Sequence, residues 1–230
     1  MKGFFQRMWK KLKRIFIILF IAQIVYIVAL KWVDPPITVT QLISFFSGNG
    51  LKRDYIKFSE MSSNVRLAVI ASEDQLFPDH NGFDVKSIEN ALTHNTKKKG
   101  RIRGASTISQ QVAKNVFLWQ GRTWVRKGLE VYFTFMIEMI WGKERILEMY
   151  LNVAEMGKGV FGIEAASRSY FKKPAQKLTK TEAAKIAACL PNPKVYTVNP
   201  PSSYITKRYP WIVRQMNNLE GDEDIEPLLK

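Results

Sequence analysis

Two acidic side chains close an apolar run at Ala71-Ser72-Glu73-Asp74, and Gln75-Leu76-Phe77-Pro78-Asp79-His80-Asn81-Gly82 follows. Glu73 stands four residues after Val69, so on a helix the two share a face. A carboxyl group that faces an apolar interior holds its proton more tightly, which tunes it toward acid–base work near neutral pH. The plain alternative is an acidic helix terminus in solvent. A second constellation is Gly104-Ala105-Ser106-Thr107, leading into Ile108-Ser109-Gln110-Gln111-Val112-Ala113-Lys114. Free backbone N–H groups and the hydroxyls of Ser106 and Thr107 at a helix start suit a phosphate or another anion, although they equally suit an ordinary cap. Gln111 and Lys114 are three apart and share a face. In the third, Arg122, Arg126 and Glu130 recur every four residues, with Lys127 beside them. This is either a surface ion pair worth a few tenths of a kcal/mol or a cationic ridge leading to a second carboxylate.

Such groups need a scaffold, and the pattern predicts a mainly α one. Asn64 is expected to cap a helix carrying Val65, Ala68 and Val69. A shorter helix over 84–94 and a basic loop over 97–104 follow. Ser106 or Thr107 then caps a helix with Ile108, Val112 and Val116 at four-residue spacing. Residues 122–141 predict a long helix, nearly all apolar from Val131 to Trp141 and too short there to cross a bilayer, hence a central buried helix ended by Gly142. Further helices are expected over 143–155, 162–170, 179–190 and 203–219. Residues 34–50 read as a membrane-proximal linker, 51–219 as the folded domain and 220–230 as a loose acidic tail. No alternation of period two persists, so no strand is expected.

Residues 15–33 are apolar apart from Gln23 until Lys31, long enough for a single transmembrane helix that Asp34-Pro35-Pro36 stops. The segment 1–14 carries Lys2, Arg7, Lys10, Lys11, Lys13 and Arg14 without an acid, so it should stay cytoplasmic and the domain should lie outside. Of the chain's net charge of +15, +9 remains for the other residues, which favours a polyanionic partner. The outward topology argues against nucleic acid. Cys189 is the single cysteine, so an intrachain disulfide and a thiolate cluster are excluded, and with two histidines a zinc site is not expected.

Taken in order, these residues resemble the glycosyltransferase family 51 domain, the peptidoglycan glycosyltransferases, and in particular its monofunctional members. The first family motif is matched by Glu73, Asp74, Phe77, His80 and Gly82, and the second by Gly104 through Gln111, with Ala105 and Ser109 as departures. The third is matched by Arg126, Lys127 and Glu130, and a fourth by Lys143, Glu144, Ile146, Leu147, Glu148, Tyr150, Leu151 and Asn152. A fifth is matched by Gly162-Ile163-Glu164-Ala165-Ala166 and Tyr170-Phe171-Lys172. The likeness spans roughly residues 50–200.

The resemblance implies a lysozyme-like helical domain that joins lipid II into β-1,4 glycan at the outer face of the cell inner membrane. It implies Glu73 as the general base and Glu130 as a second essential carboxylate. Asp74, Ser106, Thr107, Gln111, Lys114, Arg122, Arg126 and Lys127 would bind substrate, above all its pyrophosphate. A divalent cation, Mg2+ or Mn2+, held by Glu130 stays optional. The implied partners are lipid II, the growing lipid-linked glycan, membrane lipids and other cell wall synthesis proteins. Phe45, Phe46 and Leu51 are placed in the membrane surface or, as the commoner fate, in the core. A lysozyme-like lytic enzyme is the nearest rival, but its leaving group carries no phosphate and needs no cationic set. A non-catalytic membrane scaffold is the second.

Overall fold

The computed structural model describes residues 2–97, 104–121 and 123–230. Arg122 and the centre of the basic loop at 98–103 lie outside the described residues. The chain divides into two compact units, Met1–Pro35 and Pro36–Lys230.

The first unit is one helix, α1 (Lys2–Ala29). Its stretch Phe4–Ala29 is long and apolar enough to cross a membrane, and nearly all of it is exposed. The basic residues of the first fourteen positions continue the same helix instead of forming a separate segment.

The second unit is built from helices. After α2 (Val39–Phe46) come α3 (Ser63–Glu73), α4 (Val85–Lys97), α5 (Ile108–Phe117) and α6 (Trp124–Ile140). Then follow α7 (Lys143–Val153), α8 (Ile163–Phe171), α9 (Lys180–Cys189) and α10 (Ser203–Leu219). The α5 helix packs between α6 and α7, and α3 packs against α9 and α10. The core between them holds Phe77, Trp141, Tyr150 and Phe161, all essentially inaccessible.

Several expectations change. The cap of α3 is Ser62, whose hydroxyl accepts from Val65 N, while Asn64 instead reaches Leu178 O at 3.1 Å. Residues 34–50 contain α2, started by a capping box in which Thr38 and Gln41 satisfy each other's backbone. A small sheet of order β1-β3-β2 joins Lys52–Arg53 (β1), Val160–Phe161 (β3) and Glu155–Gly157 (β2). β1 runs parallel and β2 antiparallel to β3. Two- and three-residue strands are too short to show an alternation.

The long helix α6 is not a central buried one. Its polar residues Arg126, Glu130 and Thr134 face inward with Ile137, and Trp124, Val125, Val131, Phe135 and Met139 face outward. Hydrophobic content marks a helix that avoids water without saying whether protein or lipid covers it. Gly142 belongs to the start of α7, since the last turn of α6 closes at Trp141.

Residues 220–230 are not loose. They form a short 3-10 turn (Glu226–Leu228), with Ile225 and Leu228 buried. The Leu228 carbonyl accepts from the buried Arg66 guanidinium at 3.2 Å, and that guanidinium lies over the Phe58 ring. Burying two aliphatic side chains and accepting a hydrogen bond from an interior cation gives this segment a structural task. Ile225→Ala should therefore destabilise the domain by about 2–4 kcal/mol and lower its melting temperature by roughly 5–12 °C. A thermal melt followed by circular dichroism checks this, and an unchanged melting curve would mark the tail as dispensable.

Candidate active site

The site forms where α3 ends and α5 begins. Asp74 leaves the helix with extended backbone at φ −164° and ψ 82°, so Glu73 and Asp74 point to different surroundings. The Asp74 carboxylate is buried. Its Oδ2 accepts from the Ile108 N–H, the first of α5, at 2.9 Å, and both oxygens lie 3.0–3.1 Å from His80 Nε2. The Gly82 N–H donates to His80 Nδ1 at 3.1 Å, so Nε2 carries the ring proton and donates to Asp74. Gly82 has φ +87°, and a Cβ there would meet Thr134 Cγ2 at 2.7 Å. Only glycine fits this turn.

Thr107 caps α5. Its hydroxyl accepts from Gln110 N and donates to Gly82 O at 2.7 Å, and Gln110 returns a carbonyl oxygen to Thr107 N. Asp74 and Thr107, expected as substrate-binding groups, thus use their polar atoms inside the protein. Ser106, just before the cap residue, is exposed. Ser109, where the family motif has threonine, keeps the hydroxyl and donates to Glu138 Oε1 at 2.5 Å. Lys143 joins the same carboxylate at 2.8 Å and donates to the His80 carbonyl.

Glu73 is half-buried. Gln111 Nε2 donates to its Oε2 at 2.8 Å, and the Tyr150 hydroxyl donates to Gln111 Oε1 at 3.3 Å, which fixes the direction of the amide. Burial pushes the Glu73 carboxyl above its ordinary value of 4.5, and Asp74 adds to the rise. The Gln111 hydrogen bond and the charges of Arg208 and Lys114 pull the other way. Tyr150 is pushed well up by burial, so its phenol stays a donor.

Glu73 lines a cavity of about 1010 Å3 together with Asp84, His94, Ser106, Arg208, Trp211 and others. Gln111 and Lys114 line a neighbouring cavity of about 390 Å3, with Asn115, Tyr150 and Lys194. Gln111 lines the smaller space and donates to Glu73 on the wall of the larger one.

Within the third constellation the Arg126–Glu130 pair is buried, not a surface pair, and Lys127 reaches it from a partly exposed position. Glu130 Oε2 accepts from Arg126 Nη1 at 2.6 Å and Oε1 from Lys127 Nζ at 2.5 Å. Arg126 Nε is buried without a protein partner. Burial lowers the Lys114 ammonium, Glu130 and Glu73 raise it, and Arg126 and Lys127 lower it further. Lys114, Arg126, Lys127 and Glu130 are therefore one electrostatic group. Both Glu130 oxygens are already spent on cations, with a third cation near, so these residues do not fit a resident Mg2+ or Mn2+. Among the described residues no group of three potential metal-binding His, Cys, Asp or Glu exists.

The fourth and fifth motifs hold the frame. Asn152 pairs through both amide atoms with the Ile56 backbone, and Glu148 accepts from Phe58 N at 3.1 Å. Glu164 accepts from Ala175 N at 2.7 Å. Gly162 has φ +83°, and a Cβ there would meet Asn152 O at 2.5 Å.

Sequence reasoning missed the contribution of α10. Arg208, Trp211 and Gln215 line the Glu73 cavity from far along the chain, and no local motif marks them. The spacing of Arg208, Trp211 and Gln215 at three and four residues shows only that they share a face.

Comparison with known proteins agrees with this layout. The family model described as Transglycosylase matches residues 40–217. A protein of Yersinia pestis (strain Pestoides F) is 60% identical over 168 residues, covering 73% of this chain and 70% of its own. A protein of Mannheimia succiniciproducens is 59% identical over 166 residues, covering 72% and 68%. Both are named biosynthetic peptidoglycan transglycosylase. A match of this extent, over the residues that build the site, places the chain in the transglycosylase family.

Proposed function

We propose that this glycosyltransferase of peptidoglycan synthesis polymerises lipid II into β-1,4-linked glycan strands, with Glu73 as general base. The observation that carries the reading is a half-buried carboxylate, aimed by Gln111, on the wall of a large cavity, with a partly buried cationic group beyond Gln111. Gln111 occupies one oxygen of Glu73, and the other receives the proton of the acceptor's 4-hydroxyl. The freed oxygen attacks the anomeric carbon of the donor from the face opposite the diphosphate, so the α linkage becomes β. The bond to undecaprenyl diphosphate breaks and its electron pair stays on the phosphate oxygen. Lys114, Arg126 and Lys127 stabilise that growing charge more than they stabilise the ground state. We assign Arg122 a contact with the same diphosphate, as the resemblance implies, and Ser106 to the anion-binding entry of α5. Glu130 holds Arg126 and Lys127 in place. Asp74 and Thr107 hold the junction of α3 and α5.

In this reading α1 anchors the enzyme in the cell inner membrane, with its basic end cytoplasmic and the catalytic unit outside. The exposed Phe45 and Phe46 of α2 and the outward apolar face of α6 meet membrane lipids, where the substrate's tail also resides. Leu51 is half-buried. Other cell wall synthesis proteins are partners for the exported unit.

Glu73→Gln should lower polymer formation from purified lipid II by about 10²–10⁴-fold. It should not lower stability. The folded carboxyl has a raised pKa, so ionising it costs stability as pH rises through the window between the ordinary and the raised value. A glutamine escapes that cost, and its melting temperature at neutral pH should equal or exceed the parent's. Full activity in Glu73→Gln would end the assignment.

Glu130→Ala should behave differently. It leaves Arg126 buried without its partner, so it should lose activity and also about 3 kcal/mol of stability in a denaturant titration. Retained stability would mean that the cations find other partners.

The parent's kcat/KM should fall on the acid side with a midpoint above 4.5, in the direction of the Glu73 shift. A midpoint at or below that value in a pH–rate series on lipid II would contradict the base.

A further inference from the structure

Arg208 is a cation that the sequence motifs do not name, yet it opens on the same cavity as Glu73. Its guanidinium lies over the Trp211 ring, 3.8 Å from the ring centroid. Among the described residues no carboxylate forms an ion pair with it. A planar cation packed on an aromatic face is fixed in position while its N–H edge remains free. The helix that carries it is stitched to the end of α3. Gln75 Nε2 donates to Gln215 Oε1 at 3.3 Å and to Ala71 O at 3.1 Å, so α10 keeps its register with the turn that bears Glu73.

Charged and titratable groups reach Glu73 from every side. Asp74 follows it at the end of α3, Lys114 comes from α5, Arg208 from α10, Tyr150 from α7 and Cys189 from α9. Asp84 and His94 line the same cavity. The two nearby cations are not equivalent. Lys114 opens on the smaller cavity and is coupled to Glu130, Arg126 and Lys127. In the proposed reaction its charge is engaged by the leaving diphosphate. Arg208 has no such second commitment.

We propose that Arg208, braced on Trp211 at the wall of the Glu73 cavity, is a positioning residue of glycosyl transfer whose charge keeps the Glu73 carboxylate ionised for proton abstraction. The inference rests on the reading of Glu73 as the base. Burial alone favours the protonated carboxyl, which cannot accept the acceptor's proton. A fixed positive charge on the acceptor side opposes that without occupying either carboxylate oxygen. The stacking on Trp211 also stops the guanidinium from collapsing onto Glu73 as a direct ion pair, which would block the base.

The test is the pH dependence of kcat/KM on purified lipid II for the full chain, since that parameter reports the free enzyme's base. Arg208→Gln should move the acid limb up by about one pH unit. Activity on that limb then falls about tenfold, with a much smaller change on the alkaline side. Arg208→Lys, which keeps the charge, should restore most of the limb. An acid limb that coincides with the parent's overturns the proposal, whatever happens to the plateau, because loss of packing or of a substrate contact would lower activity at all pH values alike. Should Arg208→Gln fail to fold, Trp211→Leu, which releases the brace, carries the same test. A limb moved in the same direction supports the role and an unmoved one removes it. Glu73→Gln measured alongside separates the two levels. If it retains activity, the base assignment itself is wrong. If it is inactive while the Arg208→Gln limb is unmoved, only the role of Arg208 is lost.

Discussion

A single carboxylate, that of Asp74, ties the end of α3 to the start of α5, and the site is arranged around that joint. It takes the first free N–H of α5 and the imidazole of His80 together. A negative charge at a helix N-terminus is favourable on its own account, through the macrodipole and the unpaired donors there. Here it also joins the helix that ends in Glu73 to the helix that carries Gln111 and Lys114. His80 is held from behind by the Gly82 N–H, and Gly82 is in turn bonded by the Thr107 cap of α5. The loop Asp74–Gly82 and the α5 cap are therefore one closed hydrogen-bonded unit. Glu73, one residue earlier on the last turn of α3, inherits its direction from that unit without contributing to it.

Electrostatics in the site runs against stability. Glu73 is half-buried with its carboxyl raised, and Lys114 is partly buried with its ammonium lowered. Arg126 and Glu130 are both buried, and Arg126 keeps an unpartnered Nε. Desolvating charge in this way costs folding free energy that apolar residues would not. The return is that fixed charges in a water-poor setting act strongly on a charge that appears only during reaction. The compensating stability lies in the frame. The Asn152 pairing to the Ile56 backbone, the Glu164 contact to Ala175 N and the Arg66 contact to Leu228 O all lie outside the two cavities.

Those two layers explain what could be read in the sequence. Caps and four-residue spacings are local, so α5 and α10 were readable nearly to their ends, and so were the constellations at 73, 111–114 and 126–130. Two kinds of feature were not. One depends on what lies outside a helix: α6 is apolar in composition, but its polar stripe is the inward one, and periodicity alone does not say which side meets protein. The other depends on distant pairing. The short sheet, the burial of Ile225 and Leu228, and the presence of Arg208 beside Glu73 all arise from segments far apart in the chain. Asp74 and Thr107 are a mixed case. Their types mark a polar site, but whether their atoms face a ligand or each other's neighbours is decided only when α3, α5 and Gly82 come together.

Gln111 and Lys114 are three residues apart, so their backbones differ by about 4.5 Å along the helix axis and less than one full turn around it. That short interval separates the group that holds the Glu73 carboxylate from the ammonium of the neighbouring cavity. Gln111 touches Glu73 on one side and borders the smaller cavity on the other. The reaction proposed above needs its base and its leaving-group stabiliser on opposite faces of one sugar. They must not lie so close that the carboxylate and the ammonium simply pair. One turn of helix supplies that spacing without any loop movement. The Tyr150 hydroxyl then matters in proportion. By occupying the Gln111 carbonyl it prevents the amide from turning over, and a turned amide would set an acceptor against the Glu73 carboxylate. The geometry between the two cavities is thus set by one helix, α5, and one buried phenol.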